Sequence, residues 1–304
     1  MLLHATDLHA TYTVVAPLRL PHHTGSLLRG LLGRALRRTA CPREPGPCPA
    51  ACERPGQCTY ARLFDPAVPS PSPHRFLKAG AEAPPRILPL LPSPQSSALG
   101  AGASLHLGYR VLGEIDNETE GKILSALEVI ADLPIGTDAG RVTLAGVARQ
   151  GRRNREITTT APEVTEPGTL RARITFETPA WIEHDKRLVE RLTFPVLFRA
   201  LYRRLTVLSA LYGRLDDDQE AQFARLDARA SQVRCVESSL RPLRWERLSE
   251  ERGERHGMRG LLGSATFEGD LGELLPVLTM GEAAHVGKST GFGLGRMRVA
   301  RDAG

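Results

Sequence analysis

The chain has 304 residues, a formal net charge of +6 and a sequence pI near 9.3, with 40 Lys and Arg set against 34 Asp and Glu. That length accommodates two domains of ordinary size, and the excess of base favours a polyanionic partner such as nucleic acid over an acidic one. No basic n-region followed by an apolar run opens the sequence, and no stretch approaches the roughly 18 apolar residues of a membrane span, so a cytoplasmic protein with no membrane partner is expected.

Taken in chain order, residues 10–20 read as a strand, because Tyr12, Val14 and Ala16 alternate with more polar neighbours. A helix follows over 26–39: Ser26 offers an N-cap, Leu27, Leu28, Leu31, Leu32, Ala35 and Leu36 recur at helical spacing, and Arg29, Arg34, Arg37 and Arg38 fall off that stripe. Residues 41–94 are rich in Pro and Cys and read as a long ordered insertion with one short strand at 86–91. A strand at 105–112, a helix from Asn117 with apolar Ile123, Leu124, Leu127 and Ile130, and a strand at 141–148 complete the first half. The polar run 151–168, with Arg152, Arg153 and Arg155 early and Pro and Gly late, reads as a linker rather than an RNA contact. After it come a strand at 169–177, a helix at 194–212, strands near 232–246 and 259–267, a short helix from Leu271 and a last strand at 293–300.

The order strand, helix, strand, strand, helix, strand thus occurs twice. This predicts an α+β fold of tandem ferredoxin-like (RRM-like) domains, βαββαβ twice, over residues 1–160 and 169–304, with the Cys/Pro-rich insertion in the first.

Four of the five cysteines, Cys41, Cys48, Cys52 and Cys58, sit in that insertion. In a reducing compartment such a cluster points to metal before disulfide. Four thiolates suit a structural zinc ion that would fold a proline-rich loop, with free thiols and an iron–sulfur cluster as the alternatives. They would leave no open position for a catalytic metal. Cys235 stands apart and reads as a buried small hydrophobe.

Near the C-terminus, Gly287, Gly291, Gly293 and Gly295 alternate with Lys288, Ser289, Phe292 and Arg296. Glycines permit positive φ and close approach, so successive N–H groups there can face phosphate oxygens while Lys288, Arg296 and Arg298 supply charge and Phe292 stacks on a base. A hairpin that only turns the chain is the plain alternative. A nucleotide-binding P-loop fails on spacing, because five residues, beginning with Glu282, separate Gly281 from Gly287 where that motif needs four.

The segment AHVGKSTGFGLGR resembles the C-terminal glycine-rich signature of the CRISPR repeat-processing (pre-crRNA) endoribonucleases of the RAMP superfamily, and LPHHTGSLLRGLLGRALRRTAC, with the later YARLFDP, resembles that family's first loop and helix. The resemblance implies a metal-independent endoribonuclease, with no cofactor for catalysis and no DNA required. It would cut precursor CRISPR RNA within the repeat by attack of a ribose 2′-hydroxyl on the adjacent phosphate, leaving a 2′,3′-cyclic phosphate and a 5′-hydroxyl, and other CRISPR effector-complex subunits are the further partners it implies. A non-catalytic RNA-binding subunit of such a complex is the rival reading.

The chemistry needs a base, an acid and a cation. His285, directly before the glycine-rich loop, is the first candidate for proton transfer; His22 and His23, just before the basic helix, follow, with Lys288 as the cation. The helix itself carries no histidine, which departs from the family's usual placement. Gly287, Lys288, Ser289, Gly291, Phe292, Gly293, Gly295, Arg296, Arg29 and Arg34 are the expected RNA contacts, and Tyr12 reads as structural.

Overall fold

The computed structural model describes residues 1–41, 58–91, 97–159, 169–249 and 254–302. Two compact units emerge, an N-terminal one of Ala5–Arg155 with Gly291–Gly293, and a C-terminal one of Met1–His4, Glu156–Thr290 and Leu294–Gly304.

The N-terminal unit is built from β1 (Leu2–Ala16), β2 (Leu18–Arg19), α1 (Gly25–Ala40), α2 (Thr59–Phe64), β3 (Ile87–Leu90), β4 (Ala98–Leu99), β5 (Ser104–Leu112), α3 (Asn117–Val129) and β6 (Arg141–Thr158). Its sheet runs β3-β5-β1-β6, with β1 antiparallel to β5 from Ala5↔Leu112 to Thr13↔Ser104. Counting the long strands in chain order, that is second, third, first, fourth, the arrangement of a split βαβ unit. Strand alternation sends Leu8, Ala10, Tyr12 and Val14 to one face, where they join Leu28, Leu31, Leu32, Ala35 and Leu36 of α1 and Ile123, Ala126 and Leu127 of α3 in one core. Two buried tyrosines fasten this layer: the Tyr12 hydroxyl donates to the Leu127 carbonyl at 2.7 Å and the Tyr109 hydroxyl to that of Leu28 at 3.0 Å.

The C-terminal unit comprises β7 (Leu170–Ala180), the hairpin β8 (Glu183–His184) and β9 (Arg187–Leu188), α4 (Phe194–Tyr212), α5 (Gln219–Ala230), β10 (Arg234–Ser238), β11 (Arg241–Ser249), β12 (Glu254–Gly269), α6 (Leu275–Ala284) and β13 (Met297–Asp302). Its sheet runs β10-β12-β7-β13, with β11 paired to β12, and so repeats the same topology. Phe194, Phe198, Leu201 and Leu205 of α4 and Val277, Leu278 and Met280 of α6 are buried, as are Ala172, Ile174 and Phe176 of β7. The two sheets with their helices are the tandem ferredoxin-like fold.

Several elements differ from the sequence reading. β1 starts at Leu2 and stops before Pro17, which has no N–H to give a ladder. β6 continues to Thr158, eight residues into the run expected to be linker; residues 160–168 lie outside the described residues. Within the insertion, α2 buries Tyr60, Leu63 and Phe64. Helix α5 was missed; its signal is the spacing of Phe223, Leu226 and Ala230 after three aspartates. Cys235 is exposed on β10, not buried. None of the described helices is long and apolar enough to cross a membrane.

Tyr12→Phe keeps the ring and deletes one buried hydrogen bond, so it should cost about 1 kcal/mol. Thermal unfolding should register a Tm lower by about 2–4 °C; an unchanged Tm would mean the Leu127 carbonyl finds another donor.

Candidate functional site

Within the N-terminal unit the chain enters α1 through Pro21, His22 and His23, with Thr24 at the N-cap. The first helical residue, Gly25, touches backbone: a Cβ there would lie 1.8 Å from the Phe292 carbonyl oxygen. Only glycine permits that approach. The half-buried His23 ring hydrogen-bonds the backbone of Phe292. Burial pushes its pKa down to about 4; the Phe292 hydrogen bond opposes that shift, and the charge of His22 adds to it. At neutral pH the His23 imidazole is therefore uncharged and able to accept a proton. His22 is exposed.

Two arginines of α1, Arg29 and Arg37, are committed to protein partners. Arg29, whose side chain is 19% exposed, donates to Asp65 at 3.2 Å and to the Phe64 carbonyl at 3.3 Å. Its guanidinium lies over the rings of Phe64, at 4.9 Å, and Phe292, at 5.2 Å. Burial lowers its pKa, with Asp65 acting in the opposite direction. Arg37 donates to the Tyr60 hydroxyl at 2.7 Å. Phe292 and Arg29, both expected RNA contacts, thus lie against each other. Arg34 is half-buried on the same helix. Gly291 and Gly293 have Pro85 and Leu91 where a Cβ would be, at 2.8 and 3.0 Å.

In the C-terminal unit the rest of the glycine-rich segment folds back on itself. His285 ends α6 with φ of 60°, and Gly287, Ser289 and Gly295 also have positive φ. A Cβ on Gly295 would meet the Val286 carbonyl oxygen at 1.8 Å, and one on Gly287 the Trp181 carbonyl oxygen at 2.3 Å. Backbone bonds Val286 N–H to the Gly295 carbonyl at 2.9 Å and Lys288 N–H to the Trp181 carbonyl at 2.8 Å close the loop. His285, expected to transfer a proton, is 0% exposed, with Nδ1 3.1 Å from the Leu294 carbonyl oxygen. It faces the protein interior, and only a rearranged loop would bring its ring to an RNA strand. Tyr12 is also buried, its hydroxyl spent on Leu127.

Lys288 does reach solvent, with a side chain 60% exposed and Nζ 2.5 Å from Glu183. That carboxylate also accepts from Trp181 Nε1 at 2.8 Å and Arg259 at 3.3 Å. The Lys288 hydrogen bond holds the Glu183 carboxyl below its ordinary range, while burial acts against the shift. Arg296 and Arg298 share Glu177, at 2.7 and 2.9 Å. Sequence reasoning missed Trp181, Glu183 and Arg259, for which no local motif exists. Of the four clustered cysteines, Cys41 follows α1 and Cys58 precedes α2 as half-buried thiols, whereas Cys48 and Cys52 lie outside the described residues.

Two family models match the chain: AF_1859_N, an N-terminal domain, over residues 3–172, and CRISPR-associated endoribonuclease Cas6 over residues 174–297. Among solved structures, a Cas6 product complex is similar with a TM-score of 0.59 and 16% identity, covering 97% of this chain and 100% of that one. The Cas6 of Thermus thermophilus gives 0.56 and 14%, covering 98% and 99%. A chain of a partial Cas6-RT-Cas1–Cas2 complex gives 0.60 and 12%, covering 99% of this chain but 46% of its own length. At such identities the structural likeness speaks for the fold. No curated protein matches the chain at a significant level.

Gly25→Ala should force the Phe292 backbone off α1, an overpacking that costs about 1–3 kcal/mol. Urea unfolding should show a lower midpoint with an unchanged slope, and an unaltered midpoint would mean the contact is dispensable.

Proposed function

Because this chain belongs to the CRISPR repeat-processing endoribonucleases, we propose that it cuts precursor CRISPR RNA within the repeat without a catalytic metal, by attack of a ribose 2′-hydroxyl on the neighbouring phosphate. The O2′–P bond forms as the P–O5′ bond breaks, leaving a 2′,3′-cyclic phosphate and a 5′-hydroxyl. One proton leaves the 2′-oxygen and one reaches the 5′-oxygen, so the proton transfers need one base and one acid, with a cation to stabilise the phosphorane charge.

The observation that carries this reading is the half-buried His23 imidazole at the start of α1, held on the backbone of Phe292. His23 is the base for the 2′-hydroxyl, and exposed His22 beside it is the candidate for protonating the leaving oxygen. A phosphodiester seated near His23 favours its charged form and raises its pKa from the depressed value, which helps it take the proton as the phosphorane forms. The first-turn N–H groups of α1 present positive potential in the same unit. His285 serves the loop, fixing Leu294 and with it the positive-φ run, and Lys288 holds the strand. Exposed Arg241, Arg244 and Arg255 on the paired β11 and β12 add charge for the RNA backbone.

Labelled repeat RNA from the neighbouring CRISPR array should be cut in excess EDTA, and His23→Ala should lower the rate by about 10²–10⁴-fold at matched RNA affinity. Tight binding with the RNA left intact would instead make the protein a binding subunit. The pH profile is a second check: a base with its pKa near 4 keeps the acid limb of kcat/KM near pH 4 rather than near the ordinary histidine value of about 6.5. Since folding lowers this pKa, the stability it contributes is present above the unfolded value and lost as pH falls from about 6.5 to about 4.

A further inference from the structure

Glu183 is 13% exposed and gathers donors from three places: Trp181 Nε1 two residues away, Arg259 on β12 and Lys288 on the glycine-rich loop. A pair of ions on an open surface contributes little and is held loosely. This group differs in three respects. The Arg259 guanidinium lies 4.9 Å above the Trp181 ring, which fixes its plane. The Trp181 carbonyl accepts the Lys288 N–H at 2.8 Å, and the backbone of Gly287 lies where no side chain fits, so the lysine is placed from its main chain as well as its tip. Finally, the buried Arg259 Nε has no hydrogen-bond partner among the described residues, although a buried donor is normally satisfied.

Charge gives the ligand class. Two cations against one carboxylate leave a single positive charge, and Lys288 and Arg259 are 60% and 43% exposed, so their outer N–H groups face solvent. One phosphodiester carries one negative charge and offers acceptors to both. Asp185 and Lys186, with φ of 49° and 62°, form the tight turn between β8 and β9 and so set the register Glu183↔Leu188. Non-glycine residues in that region cost energy and persist where the surroundings hold them.

We propose that Trp181, Glu183, Arg259 and Lys288 form a preassembled phosphate subsite for the RNA strand, in which Glu183 is a positioning residue that aligns the two cations without touching RNA. The subsite extends the RNA-processing reading and rests on it for the identity of the strand. Simple electrostatics and positioning predict opposite results for Glu183→Gln. Removing a negative charge should tighten RNA binding, whereas losing the alignment weakens it.

The experiment measures dissociation constants of synthetic repeat RNA in EDTA over a salt series, for wild type, Glu183→Gln, Lys288→Ala, Arg259→Ala and the Glu183→Gln/Lys288→Ala pair, with Tm of each recorded. Lys288→Ala and Arg259→Ala should each weaken binding about fivefold and flatten the log–log salt slope by roughly 0.7 on a single strand. Glu183→Gln should weaken binding about threefold, and that loss should be smaller in the Lys288→Ala background, where only Arg259 is left to align. Tighter binding by Glu183→Gln, an equal loss in both backgrounds, or an unchanged salt slope in the two cation variants overturns the proposal. Because the readout is affinity and not product, wild-type protein that binds without cutting refutes the cleavage reading while this subsite is still scored.

Discussion

The contact on which the candidate site depends is the seat of the Phe292 carbonyl on Gly25, where a single methyl group would collide with backbone. It makes three residues from near the C-terminus, Gly291–Gly293, part of the N-terminal unit. The same contact brings His23 against peptide rather than water, and burial of that ring keeps it uncharged. Arg29 then lies over the Phe292 ring and that of Phe64. One absent side chain thus decides the placement of a loop, the burial of a histidine and the occupation of an arginine.

Much of the fold was legible because its periodicities are strong. The stripe Leu28, Leu31, Leu32, Ala35 and Leu36 and the alternation of Tyr12 and Val14 identified α1 and β1, and the repeated element order pointed to the tandem topology. Two short helices, α2 and α5, were not legible, whereas the short helix expected from Leu271 is present as α6. Six residues of α2 carry too little pattern, and α5 follows the acidic turn 216–218 without a conspicuous apolar run. Tertiary packing decides both.

The glycine-rich segment could be recognised from its sequence, but its internal division of labour could not. His285 stands next to Gly287 and Lys288 in the chain, yet the positive φ that ends α6 turns it inward while Lys288 points out. Adjacency along a strained loop says little about which side a residue faces. In the same way Glu183 carries no motif, since its three donors come from different elements and meet only in the fold.

β6 is an edge strand of 18 residues, long enough to template pairing with another chain. Its outer half bears Arg149, Arg152, Arg153 and Arg155, and Arg149 and Arg153 bridge to Glu120 on α3. Gly151, with φ of 79°, interrupts the regular twist midway. Charge and irregularity together make that edge a poor template, so Arg152, Arg153 and Arg155, which read from the sequence as linker, stand on an edge strand where charge discourages another chain from pairing.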